Sequence, residues 1–285
     1  MSDISLLGKD FCKDNSIVVN GNRYDIGIPV LKWDDPGGFN GYDTSKVVVE
    51  EQDRRTGKIK KKVIKGKRYG GLLGVNMPGG VHGVKKIMQH HTGGFTASSC
   101  FNTLHNMRNL SVQFITDDWG RVYQTLDAII RAWHGGDLCG QAIGIENVLY
   151  PDFEENPYAY SKKRRDKFDL NVHTSGEQYI QGRKREVYNL PKVQVDSLIV
   201  LTAGIWAAVS NEKGPLYLSE GNLPVFIRDS FGEIVMDYSP SVKNHVGQIL
   251  HANSSKMKWD MVGVSDMKKF EASVVEKFKF FVGNL

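Results

Sequence analysis

The stretch Lys85–Gly94, KKIMQHHTGG, sets the tightest limit on how this chain can fold. Ile87 and Met88 are buried-strand residues, and Gly93-Gly94 stops the strand before Thr96-Ala97-Ser98-Ser99, which reads as a helix N-cap region. A short strand therefore delivers a histidine pair to a glycine turn. Adjacent side chains on a strand point to opposite faces, so only one of His90 and His91 can look into any given pocket. A strand-end histidine is a good metal ligand because its backbone is rigid. Imidazole serves as readily as an ordinary hydrogen-bonding group, so the pair alone does not decide between the two roles.

A chain of 285 residues suits one large domain, or a domain with a substantial appendage. Its 40% hydrophobic and 24% charged content allows a real core. No run approaches the ~20 apolar residues that span a bilayer, so no membrane insertion is expected. The start, MSDISLLGKDFCKDN, has no basic segment followed by an apolar one, which predicts synthesis in the cytoplasm without a secretory signal. Cys12, Cys100 and Cys139 are odd in number and scattered, against a disulfide framework. The net charge of +5 favours an anionic partner, nucleic acid or an acidic wall polymer, without choosing between them.

Residues 1–75 read as a β-rich extension. Ser16–Val19 and Tyr24–Ile28 flank Asn20-Gly21-Asn22 as a hairpin, and Val47–Val49 is a further strand. Arg54–Lys65 has a hairpin rhythm with Thr56-Gly57 at the bend and much of the positive charge; a solvated, lysine-protected edge accounts for it, with wall or nucleic-acid contact as the other reading. From Thr96 the spacing turns helical, with Cys100, Leu104 and Met107 on one stripe. Val112–Ile115 and Arg121–Thr125 flank Asp117–Gly120 as strand, turn and strand. Ala142-Ile143-Gly144-Ile145 has the pattern of a central strand buried on both faces, ending at Glu146. Residues 152–190 and 214–244 read as insertions, the second with a hairpin around Phe231-Gly232. Helices are expected after Pro191 and after Ser265, the latter serving as cap to a face of Met267, Phe270, Val274, Phe278 and Phe281. The economical architecture is α/β, a mixed central sheet flanked by helices.

The chemistry gathers in Ile249–Asp260, where His251 follows an apolar pair and Lys258-x-Asp260 comes later in the same loop. If that triplet is extended, the ammonium and the carboxylate share a side. With His90 this supplies two imidazoles and a carboxylate, a donor set suited to zinc with a fourth position left for water.

His90-His91-Thr92, Asp118–Gln124, Ala132-Trp133-His134-Gly135-Gly136, Ile143–Glu146 and His251 to Lys258-x-Asp260 stand in an order that resembles zinc-dependent N-acetylmuramoyl-L-alanine amidases of type 2, the relatives of phage lysozyme-type amidases and peptidoglycan recognition proteins. The resemblance covers roughly residues 80–265, within a catalytic region spanning 76–285. It implies one Zn2+ held by His90, His251 and Asp260, with Glu146 as general base and Lys258 as oxyanion stabiliser. It also implies His134 and Thr92 in contact with a peptidoglycan substrate, and His91 as a hydrogen-bonding neighbour of the ligands. His245 is a rival to His251 that lacks the downstream Lys-x-Asp. His82, His105 and His173 carry no partner pattern. The sequence departs from the family in Met261-Val262-Gly263 after the aspartate, in Leu250 before His251 and in Val112 where some relatives have tyrosine. The resemblance implies hydrolysis of the amide between N-acetylmuramic acid and L-alanine, by a phage-type lysin or injected effector that reaches the wall through a holin or an injection carrier. A module that binds muropeptides without cutting them is the alternative; nucleic-acid binding is not expected.

Overall fold

The computed structural model describes residues 13–52, 55–73, 83–160, 174–212, 222–260 and 263–283, so the expectations for Cys12, His82 and His173 lie outside the described residues. The strands run β1 (Ser16–Val19), β2 (Asn22–Asp25), β3 (Val30–Lys32), β4 (Val47–Gln52), β5 (Ile59–Ile64), β6 (Tyr69–Leu72), β7 (Lys86–His91), β8 (Phe114–Thr116), β9 (Val122–Gln124), β10 (Ile130–Ala132), β11 (Ala142–Asn147), β12 (Ser175–Ile180), β13 (Arg183–Tyr188) and β14 (Gly247–Leu250). Helices are α1 (Ala97–Phe101), α2 (Lys192–Asn211), α3 (His251–Ser254) and α4 (Met267–Val282).

Six strands form the central sheet in the order β14-β7-β11-β8-β9-β3. β14, β7, β11 and β8 are parallel, β9 is antiparallel to β8, and β3 is parallel to β9, so the sheet is mixed and flanked by helices. β11 lies at the centre and all six of its residues are buried, as its apolar run requires. One face of the sheet packs on α2. That helix is buried on nearly every side because α4 and the β1–β2 hairpin close over it. It is long and apolar enough to cross a membrane by length and composition, yet here those side chains make the core.

The N-terminal strands do not form a layer of their own. β3 is an edge strand of the central sheet, and Ile17, Val19, Ile26, Ile28 and Val30 join the main core, so the packing runs across residue 75. β3 is short and contains Lys32, whose fully buried ammonium is bonded to Asp14 at 2.8 Å; nothing in its pattern marks a sheet strand.

Three local expectations change. After α1, capped by the Thr96 hydroxyl, the chain widens into a π-turn over Asn102–Met107. Its longer repeat buries Leu104 and His105 and turns Met107 out, breaking the stripe expected at α-helical spacing. The cap of α4 is Asp266, whose carboxylate accepts from Lys269 N, rather than Ser265. The expected hairpin around Phe231-Gly232 is reduced to one antiparallel bridge, Arg228 to Ile234, while Phe226 ahead of it bridges in parallel to Gln248 of β14.

Candidate active site

Register places the site. In the parallel pair β7–β11, His90 stands directly beside Glu146, and in β14–β7, Leu250 stands beside Gln89. His251 is the next residue after Leu250, so His251, His90 and Glu146 form one row across the C-terminal ends of three neighbouring parallel strands. Side chains in register on adjacent parallel strands share a face, and here it is the face away from α2. Asn147, pointing the other way, donates to the carbonyl of His90 at 2.9 Å and ties the two strand ends together. The carboxyl ends of parallel strands are where α/β sheets commonly place their ligands.

Asp260 reaches this row from the loop after α3. His251 Nδ1 lies 2.8 Å from Asp260 Oδ2, His90 Nδ1 lies 3.0 Å from His251 Nδ1, and His90 Nδ1 lies 3.6 Å from Asp260 Oδ2. Three donors in such a triangle are spaced much as one face of a tetrahedron with bonds of about 2 Å would space them, so the set fits a metal ion such as zinc.

The histidine network also settles which nitrogen is bare. His134 Nε2 lies 3.3 Å from the carbonyl of Ala142, an acceptor only, so that nitrogen carries the proton and Nδ1 accepts. His134 Nδ1 is 2.9 Å from His90 Nε2, which must therefore donate. A neutral His90 then presents an unprotonated Nδ1 to His251 and Asp260, the tautomer a metal ligand needs. Burial, and after it the neighbouring His251, pushes the His90 pKa down to about 4, and burial drives that of His134 well below its ordinary value, so both rings are neutral at pH 7. Gly144 makes this chain of rings possible: a Cβ there would lie 2.8 Å from the His134 ring.

Asp260 is pushed up by burial, but hydrogen bonds with His251 and His90 outweigh that and hold its carboxyl well below the usual carboxylate range. Glu146 is the opposite case. Burial, then the Asp260 charge, raises its pKa well above the ordinary value against the pull of Lys258 and Arg108, and its Oε2 has no hydrogen-bond partner. A buried carboxylate without a partner, beside a donor set for a cation, is a poised proton acceptor.

His90, Thr92, Glu146, His251, Lys258 and Asp260 line one cleft of about 250 Å³. Lys258 and Asp260 both line it, while Trp259 between them packs on His91, ring centroids 4.9 Å apart. The His91 ring also lines the cleft and packs there without a protein hydrogen-bond partner at either nitrogen. Thr92 lines the cleft, but its hydroxyl braces the turn, accepting from the amides of Gly94 at 3.0 Å and Leu149 at 3.3 Å. His134 lies between this cleft and a neighbouring groove of about 800 Å³ lined by Arg131, Trp133 and Lys243. His245 is remote from the cleft residues, its Nε2 on the Val225 carbonyl at 2.9 Å, and His105 stacks on Phe101 in the core.

One residue that sequence reasoning did not single out holds the loop that carries Lys258 and Asp260. Gln181, at the tip of the β12–β13 hairpin, donates its Nε2 amide to the carbonyls of Ala252 at 2.8 Å, Ser255 at 3.1 Å and Lys258 at 2.8 Å. Gln181 and Gly182 both have positive φ, 55° and 68°, the geometry of a tight hairpin turn that a glutamine rarely takes. Arg185 of the same hairpin lies 4.8 Å over the Trp259 ring. The insertion thus buttresses the segment that carries Lys258 and Asp260.

Residues 80–211 match the family model of N-acetylmuramoyl-L-alanine amidase, Amidase_2. That segment contains His90, Thr92, His134 and Glu146; His251, Lys258 and Asp260 lie beyond it, joined to it by the geometry above. Among solved structures, the chain is similar to the N-acetylmuramyl-L-alanine amidase AmiD of E. coli in complex with anhydro-N-acetylmuramic acid-L-Ala-D-gamma-Glu-L-Lys, at 14% identity over 82% of this chain and 88% of that one, with a TM-score of 0.31. No curated protein matches the chain.

Proposed function

This chain belongs to the type 2 N-acetylmuramoyl-L-alanine amidase family, and from that premise we propose that it hydrolyses the amide between N-acetylmuramic acid and L-alanine in peptidoglycan as a zinc-dependent enzyme. The observation that carries the reading is the row His251–His90–Glu146 with Asp260 closing a three-donor face and an unpartnered carboxylate beside it. His90 Nδ1, His251 Nδ1 and the Asp260 carboxylate would hold the metal. A bound zinc ion supplies Lewis acidity there, polarising a carbonyl oxygen and lowering the pKa of water to about 7.

Glu146 takes the proton of the attacking water and returns it to the departing amine nitrogen of L-alanine, so one group serves as base and then as acid. Its burial suits this task, because a carboxylate pushed up in pKa binds a proton more firmly. Lys258, lining the same cleft as Asp260, faces the negative charge that develops on the carbonyl oxygen, and a preorganised charge of this kind is typically worth several kcal/mol. His134 keeps the His90 tautomer in place. The biological setting that fits is a phage-type lysin or an injected effector, delivered from the cytoplasm to the wall.

Mass spectrometry of purified sacculi after treatment tests the reading. The expected product is a glycan with free lactyl carboxyls and stem peptides with free L-alanine amines, formed only when zinc is present. Sacculi recovered intact, with the protein bound to them, would replace hydrolysis with recognition alone.

A further inference from the structure

The β4–β5 hairpin takes no part in the site, and its charge is out of proportion to the rest of the molecule. From Lys46 to Arg68 stand ten Lys or Arg against three Asp or Glu, a net +7 in a chain of net +5, so everything outside that stretch sums to −2. Lys58, Lys60, Lys61, Lys62 and Lys65 are exposed. Lys61 faces Glu50 at 3.9 Å, an exposed pair of small worth.

Protection of a sheet edge would explain lysines, but not what lies between them. Val48, Ile59 and Val63 are 54%, 64% and 46% exposed. Val48 pairs with Val63, Glu50 with Lys61 and Gln52 with Ile59, so all three aliphatics share one face of the ribbon, with the Glu50–Lys61 pair between them. By the same register Lys60 and Lys62 stand on the opposite face, so the ribbon offers an aliphatic face that carries Lys61 and a lysine-bearing face behind it, which suits a ligand with both apolar sugar faces and carboxylates.

The ribbon adjoins the wall of the cleft through β4. β4 packs beside the π-turn whose Thr103 and Leu104 line the site. After β5 the chain passes Arg68, which is fully buried, bonded to the carbonyls of Asp43 at 2.7 Å and Ser45 at 3.0 Å, and accepts the Ser111 hydroxyl on its own carbonyl. It then enters β6, which pairs with β10 just before Trp133-His134.

We propose that this ribbon binds the peptidoglycan polymer itself, holding stem-peptide carboxylates and sugar faces of units adjacent to the one in the cleft. The inference rests on the amidase reading and deepens it: the substrate class is the polymeric strand rather than a single soluble muropeptide. A polymer presents free carboxylates at every repeat, so one unit in the cleft leaves others for the ribbon.

The test uses the full chain with zinc and the triple variant Lys60→Glu, Lys61→Glu, Lys62→Glu, with Lys→Gln at the same positions as a milder second variant. Binding is measured by co-sedimentation with sacculi stripped of phosphate-bearing glycopolymers, in a Glu146→Gln background so that nothing is cut. Turnover of a soluble muropeptide is measured in the active background. The expected result is a loss of roughly tenfold or more in affinity for stripped sacculi on charge reversal, smaller for Lys→Gln, a steep salt dependence in the parent, and unchanged muropeptide turnover. Equal binding by parent and both variants overturns the proposal. So does parent binding confined to walls that keep their phosphate polymers, or confined to duplex DNA. Failure of the zinc-loaded parent to cut muropeptide and sacculi alike counts against the amidase reading, separately from the ribbon.

Discussion

Replacing Glu146 with Gln separates the proposed catalysis from folding. The side chain is 7% exposed, its Oε2 makes no hydrogen bond, and Gln has the same shape, so no hydrogen bond at that atom is lost. General acid–base catalysis contributes about 10²–10⁴ in rate, equivalent to roughly 3–5 kcal/mol of barrier, and that is the expected loss on sacculi with zinc still bound. Stability should move the other way. Burial raises the folded-state pKa of Glu146 above its ordinary value of 4.5, so the fold favours the protonated form. The contribution of that form is complete below the ordinary value and is lost as pH rises through the folded pKa, at about 1.4 kcal/mol for each pH unit that separates the folded value from the unfolded one. The variant carries no charge at any pH, so in the metal-free protein its melting temperature should equal or exceed that of the parent at pH 8, by a margin that shrinks at pH 5. Calorimetry at the two pH values and product release from sacculi supply the readings. A rate loss under about tenfold removes Glu146 from the role of base. A melting temperature well below the parent's at pH 8 means that the carboxylate has a structural partner and the reasoning about its burial is wrong.

Two further substitutions test how the donors are held. His134→Ala removes the acceptor that fixes the His90 tautomer and should weaken zinc binding by about 10–100-fold, measured by competition with a chromophoric chelator; unchanged affinity would return His134 to substrate contact alone. Gln181→Ala should loosen the 252–260 segment, seen as faster amide exchange there, and lower zinc affinity through Asp260. Gln181→Glu, the same shape without N–H donors, should be no better, and full zinc affinity in either variant would show that the three carbonyl bonds do not position the loop.

How much of this could be read from the chain depends on whether a signal is local. His90, Glu146 and His251 each end a short apolar run, and strand ends are legible because burial imposes a pattern on four to six residues at a time. Which histidine of the pair faces the cleft was open in the sequence and follows once the register with Glu146 is known. β3 was illegible because so short a strand carries no period, and Lys32 finds its counter-charge in Asp14, on the far side of the β1–β2 hairpin. The π-turn escaped for a related reason: one extra residue per turn changes which side chains are buried, and the stripe ending at Met107 fits an ordinary helix equally well. Gln181 left no trace at all, since an amide bonded to backbone carbonyls reads as any polar turn residue.

The division of the site between segments explains why the insertions matter. His90 and Glu146 sit on neighbouring central strands and are held by the sheet itself, with Asn147 bonded to the His90 carbonyl. Asp260 and Lys258 have no such support: they lie on irregular backbone after α3, outside the segment that matches the amidase family model. A donor set is only as well placed as its least constrained member, and a carboxylate on a free loop would lose conformational entropy whenever it closed on a cation. The β12–β13 hairpin removes that cost in advance by occupying three carbonyls of the loop and stacking Arg185 on Trp259 between Lys258 and Asp260. The positive φ of Gln181 makes physical sense on this account, because the local backbone cost is set against order in the segment that brings Asp260 to His90 and His251.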